Sequence, residues 1–274
     1  MNSPSEPSSA LSIVYGPVRS WRVGWSLGVD MLFVNSVCSF RCAYCQLGRI
    51  NVHTRERKVY VPTERVLDDL KASDWRRAHV VTFSGSGEPT LAANLGEAVT
   101  GVKAVTSKPV VVLTNSTTLN DPVVRRDLCA ADRVFCKLDA ADEETFVRVN
   151  RPVTGLTLRA VVEGIKKLRG EYKGHLAVQI MLLPSSEGRA ERFAEILRAI
   201  GPDEVQLSAP SRPRPRAWCV EARGNLPAGA ASGRALKPGG ADEAERFENA
   251  LRRLTGLQTA SAHRARGGES GRVA

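Results

Sequence analysis

The amino-acid sequence predicts an α/β fold, a partial (β/α)6 TIM-like barrel with a basic C-terminal extension. Short β-branched runs alternate with amphipathic helical segments from Asp30 to Pro210, the pattern of a parallel sheet with right-handed crossovers. The residues able to do chemistry fall at the ends of those runs, where parallel α/β folds gather their sites. After Pro210 the alternation stops and Pro, Gly and Arg take over. Eight units would close a barrel; six imply an open one, with a doubly wound sheet as the competing arrangement.

The elements follow in order. Residues 1–12, rich in Ser and Pro, are expected to form a disordered tail. Asp30 to Asn35 (DMLFVN) reads as the first strand, and PTERVLDDLKAS as the first helix. His79 to Phe83 is the second strand, followed by the helical NLGEAVTGVKAV. Pro109 to Asn115 is the third, and DPVVRRDLCAA opens a helix with an Asp cap and Pro at the first helical position. Arg133 to Asp139 is the fourth strand; TLRAVVEGIKKLRG is an amphipathic helix closed by Gly170. His175 to Pro184 is the fifth strand, GRAERFAEILRAIG a helix, and Glu204 to Pro210 the sixth strand. The barrel is thus expected over 13–210. The extension, 211–274, holds one helix, ADEAERFENALRRLTG, whose acids lead and arginines trail as the helix dipole favours, and ends in a disordered tail.

Composition narrows the function. No run of eighteen apolar residues occurs, so no membrane span is expected. The N-terminal stretch has no basic region followed by an apolar one, so a cytoplasmic, reducing location is expected. The 6 cysteines are too sparse for a disulfide framework, and clustered thiols then suggest metal. The formal net charge is +10, and the segment from Pro210 onward carries twelve Lys or Arg against six Asp or Glu. That bias favours an anionic partner, RNA first; its plain alternative is a solvated Arg-rich surface.

VCSFRCAYCQLG places Cys38, Cys42 and Cys45 in a C-x3-C-x2-C spacing with no fourth cysteine nearby. Iron-sulfur clusters are commonly held by four thiolates, and a structural zinc site is likewise closed by four ligands. Three thiolates on a [4Fe-4S] cluster leave one iron for an exogenous chelate, while a zinc site would have to recruit His53 or Cys129. In SGSGEPT, Gly85 and Gly87 let the backbone approach a ligand, and their carbonyls with the Glu88 carboxylate suit an ammonium group; a plain tight turn is the alternative. A phosphate loop is disfavoured, since no Lys-Ser/Thr follows the glycines. Asn115 ends the third strand as a ribose contact or a turn cap. Asp139 ends the fourth as an ammonium ligand, an acid-base group or a helix cap, with Lys137 on its face. Cys136 and Cys129 read as buried small hydrophobes, Cys219 as undecided, and RPRPR as a phosphate contact or a solvated strap.

The cysteine spacing with Tyr44 before its last member, together with Gly-x-Gly-Glu-Pro after the second strand, resembles the radical S-adenosylmethionine enzymes. YGPVRSWRVGWSLGVD, KLDAADEETFVRVNRP and LSAPSRP look like the wyosine-synthase-related branch of iron-sulfur oxidoreductases. The resemblance implies that Cys38, Cys42 and Cys45 hold a [4Fe-4S] cluster whose fourth iron chelates S-adenosylmethionine. Gly85, Ser86, Gly87 and Glu88 would receive the amino group, Asn115 and Asp139 the ribose and methionine, and Tyr44 and Met181 would flank adenine. It implies reductive cleavage to a 5′-deoxyadenosyl radical that takes a substrate hydrogen, with a flavodoxin or ferredoxin as electron donor. Wyosine-forming enzymes are expected to carry a second cysteine cluster and a lysine, yet no Cys precedes Cys38 and no Lys precedes Lys58. The expectation is therefore a related tRNA or RNA modification. An activase of a glycyl-radical protein and a non-catalytic metal-stabilised RNA-binding module are the alternatives.

Overall fold

The computed structural model describes residues 12–33, 35–210, 212–219, 222–223, 233–234 and 240–262. Of the disordered tails expected at 1–12 and from Ser261 onward, residues 1–11 and 263–274 lie outside them, while Ser261 belongs to a strand. The strands are β1 (Val14–Ser20), β2 (Gly24–Val29), β3 (Val37–Cys38), β4 (Val52–His53), β5 (Val80–Phe83), β6 (Val110–Thr114), β7 (Arg133–Lys137), β8 (His175–Met181), β9 (Glu204–Ser208), β10 (Arg214–Pro215), β11 (Gly233–Arg234) and β12 (Gln258–Ser261). The helices are α1 (Thr63–Ala72), α2 (Leu95–Thr106), α3 (Pro122–Leu128), α4 (Glu143–Asn150), α5 (Leu158–Glu171), α6 (Ala190–Ile200) and α7 (Ala241–Thr255).

Eight strands form one sheet in the order β1-β2-β5-β6-β7-β8-β9-β12, parallel except for the β1–β2 pair. Its two edges do not meet, so the barrel is partial, as the alternation predicts. Helix stripes cover the outer face: Phe193, Ala194, Leu197 and Ile200 of α6, and Val161, Ile165 and Leu168 of α5, are buried at helical spacing. The alternate residues point inward. There Val80, Val111, Phe135 and Ala177 form a small apolar cluster, accompanied by the buried polar side chains Ser26, Thr82, Gln179 and Gln206. The Asp-Pro cap works as predicted, with Asp121 accepting from the Val123 N–H at 2.8 Å.

The expected first strand is displaced. Gly24–Val29 is the strand, and residues 31–33 form a turn in which Asp30 Oδ1 accepts from the Leu32 N–H at 3.0 Å. Glycines weakened the strand signal in GWSLGV. Gly28 is there because the Tyr15 ring lies on it; a Cβ would sit 2.1 Å from Tyr15 Cζ. At the other end, β12 pairs in parallel with β9 from Gln258–Glu204 to Ser261–Leu207, a seventh parallel strand beyond the six expected. Helix α7 packs on α6, with Phe247 edge-on to Phe193 at 5.6 Å.

Candidate functional site

The cysteine loop leaves β2 and crosses the C-terminal ends of the strands. Its first cysteine ends β3, which pairs with β4 in the register Cys38–His53. The loop's backbone then docks on the C-terminus of α4. The Arg41 N–H donates to the Asn150 carbonyl at 3.0 Å and the Ala43 N–H to the Val149 carbonyl at 2.8 Å. Those carbonyls are among the last four of the helix and have no partner within it. The helix end thus sets the path of the loop between Cys38 and Cys45.

Several N–H groups point at sulfur. The Phe40 N–H donates to Cys38 Sγ at 3.4 Å, Asn115 Nδ2 to the same atom at 3.4 Å, and Asn150 Nδ2 to Cys42 Sγ at 3.7 Å. Burial pushes all three thiols up, Cys42 to about 12. Left alone they would stay protonated; ligation to iron deprotonates a thiol outright, and donors aimed at sulfur then stabilise the anion. The donor set fits an iron-sulfur cluster. It fits a single ion less well: among the described residues no three His, Cys, Asp or Glu converge at metal-ion spacing. One zinc ion needs that convergence, whereas a cluster binds each thiolate through its own iron. His53 Nε2 sits 3.1 Å from the Ser39 carbonyl oxygen.

Asp139 joins the loop to the strand ends. Its Oδ1 pairs with Lys137 Nζ at 3.0 Å and accepts from the Met181 N–H at 2.9 Å. Its Oδ2 accepts from the Tyr44 hydroxyl and from Asn150 Nδ2, the latter at 3.0 Å. Lys137 also lies over the Tyr44 ring, 5.2 Å from its centre. Burial holds the Tyr44 hydroxyl well above its usual range, and the Asp139 charge adds to it. Met181 therefore enters through its backbone, while its sulfur accepts from Ser208 Oγ at 3.8 Å.

The glycine turn seats against the same loop. The Val37 N–H donates to the Ser86 carbonyl and the Glu88 N–H to the Val37 carbonyl, each at 3.0 Å. Gly87 has φ +157°, and a Cβ there would lie 1.7 Å from the Val37 oxygen. Gly85 packs against Asp30, whose Oδ2 takes the Ser86 N–H at 3.1 Å and the Ser86 hydroxyl at 2.6 Å. Glu88 is buried. Its Oε1 accepts from the Thr90 N–H and from the hydroxyls of Thr90 and Thr114; Oε2 accepts from the Asn115 N–H at 2.5 Å. Burial raises its carboxyl, and those donors oppose the rise. Asn115 turns its amide onto the loop, donating to Ser39 Oγ at 2.9 Å, and its Oδ1 accepts from Thr117.

All the site residues expected from the sequence thus stand on one rim. Sequence reasoning missed Asn150, whose signal was only an Asn closing a helix before Arg-Pro, and Asp30, which it assigned to a strand. It missed Arg223 too, which pairs with Asp30 Oδ2 at 3.0 Å across the glycine turn. Cys136 is buried as expected, but Cys129 is exposed, because it caps α3 on its solvent side. Cys219 lies beside the cysteine turn, its N–H on the Leu47 carbonyl at 3.0 Å.

A model of the Radical SAM superfamily matches residues 32–198. A UPF0026 protein of Synechocystis is 46% identical over 77% of this chain and 80% of its own length. One from Methanocaldococcus jannaschii is 33% identical over 74% of this chain and 65% of its own. Among solved structures, Streptococcus suis SuiB bound to S-adenosylmethionine superposes with a TM-score of 0.59 at 12% identity. That match covers 85% of this chain and 49% of SuiB. It is a likeness of fold.

Proposed function

The chain belongs to the radical SAM superfamily, enzymes that use a [4Fe-4S] cluster and S-adenosylmethionine, and on that premise we propose that Cys38, Cys42 and Cys45 hold the cluster. The observation that carries this assignment is the set of N–H donors from Phe40, Asn115 and Asn150 aimed at the half-buried sulfurs of Cys38 and Cys42, with Cys45 on the same loop. Bound there, the cluster and cofactor supply reductive cleavage of the sulfonium and a 5′-deoxyadenosyl radical that takes a hydrogen from the substrate.

The chain's own residues orient and exclude water. Gly85, Ser86, Gly87 and Glu88 receive the amino group. The Ser86 carbonyl keeps a lone pair beside its bond from the Val37 N–H, and the glycine carbonyls and Glu88 Oε2 supply the other acceptors. Asp139 is tied to the Tyr44 hydroxyl and the Met181 N–H, Asn115 to Glu88 and Ser39, and Asp139, Tyr44, Met181 and Asn115 line the cofactor's nucleoside side. The substrate is read as RNA, supported by the net charge of +10 and its bias toward the C-terminal quarter. A flavodoxin or ferredoxin is read as the electron donor.

The test is anaerobic reconstitution, reduction and addition of S-adenosylmethionine, with and without RNA. The expected products are 5′-deoxyadenosine and methionine, with 5′-deoxyadenosine rising when RNA is present. Cys42→Ala should retain no cluster and yield neither product. Intact S-adenosylmethionine beside a fully formed cluster would sink the reading.

A further inference from the structure

Asn150 is the last residue of α4, and it serves the cysteine loop twice. Its backbone carbonyl accepts from the Arg41 N–H at 3.0 Å. Its side chain is buried and turns the amide nitrogen toward two groups. Nδ2 donates to Cys42 Sγ at 3.7 Å and to Asp139 Oδ2 at 3.0 Å. An amide nitrogen carries two hydrogens, so each acceptor receives one. The Tyr44 hydroxyl also interacts with Cys42, but its single hydrogen goes to Asp139.

Chemistry fixes the direction of this amide. A carboxylate only accepts, and so does a thiolate. Turned over, the amide would set its oxygen against both. The opposite end of the side chain does no work in the fold: Asn150 Oδ1 is buried with no hydrogen-bond partner. A buried, unpaired acceptor is costly, and a leucine of similar shape would be free of that cost. Asp139 has three further donors, in Lys137, the Met181 N–H and Tyr44. The worth of the amide therefore lies in the hydrogen it gives to sulfur.

Hydrogen bonds to the sulfurs help to set the potential of an iron-sulfur cluster. An added electron makes a ligating sulfur a better acceptor, and the bond from an N–H strengthens with the charge. Such a donor favours the reduced state. We propose that Asn150 is a positioning residue whose N–H on Cys42 raises the reduction potential of the cluster and so eases entry of the electron that starts the reaction. The inference rests on the reading of Cys38, Cys42 and Cys45 as cluster ligands. Because Asp139 holds the same amide, the cofactor seat and the cluster meet in one side chain.

The experiment is a redox titration of the anaerobically reconstituted full chain, reduced by dithionite through viologen mediators and followed by electron paramagnetic resonance. One electron passes from the reductant to the oxidised cluster. Asn150→Leu and Asn150→Ala should each make that step about tenfold less favourable, a fall of about 59 mV for one electron. Asn150→His offers Nδ1–H in place of Nδ2–H and should restore the potential of the parent. Iron content should hold in all three. The urea midpoint of cluster-free Asn150→Leu should stay near that of the parent, since one donor to Asp139 and one unpaired acceptor are lost together. A purely structural role predicts the reverse: a lower midpoint or lost iron at an unshifted potential. That result overturns the proposal. So does a potential in Asn150→His as low as in Asn150→Leu, or failure of both Asn150→Leu and Asn150→Ala to take up the cluster. An unshifted potential with cofactor cleavage intact overturns this inference alone. The expected shift beside S-adenosylmethionine that the parent leaves intact would support the bond to Cys42 and count against the radical reading.

Discussion

Asp139 shows how one side chain fixes several others. Its two oxygens take an ammonium, a backbone N–H, a phenol and an amide, from four different elements. Its side chain is fully buried and that of Lys137 only 20% exposed. Breaking a buried pair from one side leaves an uncompensated charge and costs about 3–5 kcal/mol. Asp139→Asn should therefore lower the urea midpoint of the cluster-free protein by an amount equivalent to about 3 kcal/mol, the low end because Lys137 reaches water. Tyr44→Phe removes one hydrogen bond and should cost about 1 kcal/mol. Equal midpoints for Asp139→Asn and parent would show the network to be energetically idle. The three cysteines and Asp139 were legible in the sequence because unusual residue types ended apolar runs. Asn150 was not, since an Asn near a helix end has many ordinary reasons, and only the fold brings it to Cys42 Sγ. The dual work of Glu88 was half legible: its place after the glycines was plain, its bonds to Thr90 and Thr114 were not.

At the level of elements, one device recurs beneath the sheet. Asp132 stands just before β7 and accepts from the first N–H of β6, at Val110, at 2.7 Å, and from Lys103 of α2 at 2.8 Å. Asp203 stands just before β9 and accepts from the Leu176 N–H of β8 and from Arg169 of α5, both at 2.8 Å. Burial pushes each carboxyl up, but the hydrogen bonds and paired cations outweigh it and hold both below the ordinary 3.8. A depressed carboxylate contributes stability that is complete above its unfolded value and fades as pH falls through the folded one. Chemical unfolding followed from pH 6 downward should show loss setting in below about 4. Asp132→Asn and Asp203→Asn should each cost about 1 kcal/mol at pH 6, solvent exposure limiting the effect, and should flatten the acid limb. A limb as steep in the double variant would sink this account. The strands these staples serve were readable from β-branched runs. β1 and β12 were not: VYGPVRS is broken by Gly-Pro, and QTAS is short and polar. Pairing with β2 and β9, not intrinsic preference, makes them strands.

The whole molecule is closed from its C-terminal side. The chain returns through Arg223, α7 and β12 to complete a sheet that would otherwise end at β9. Arg223 lies against the Phe33 ring at 4.4 Å and the Tyr15 ring at 5.2 Å, and pairs with Asp30; their side chains are 8% and 1% exposed. Asp30 in turn holds Ser86 through its N–H and hydroxyl. One end of the chain thus steadies the glycine turn through a single carboxylate. Arg223→Met keeps the packing and removes the charge, leaving Asp30 buried without its partner, a loss of about 3 kcal/mol or more. Removing 211–274 should do worse. It strips β12 from β9, bares the Phe193 face of α6 and deletes Arg223, so a chain ending at Pro210 should aggregate or bind a hydrophobic dye. Native-state proteolysis separates the two effects. In Arg223→Met, cleavage should rise within 84–90 while the α6–α7 face stays protected; in the truncated chain both should open. If the truncated chain stayed monomeric and as resistant as the parent, the extension would be an ornament on a finished barrel and this coupling would be wrong.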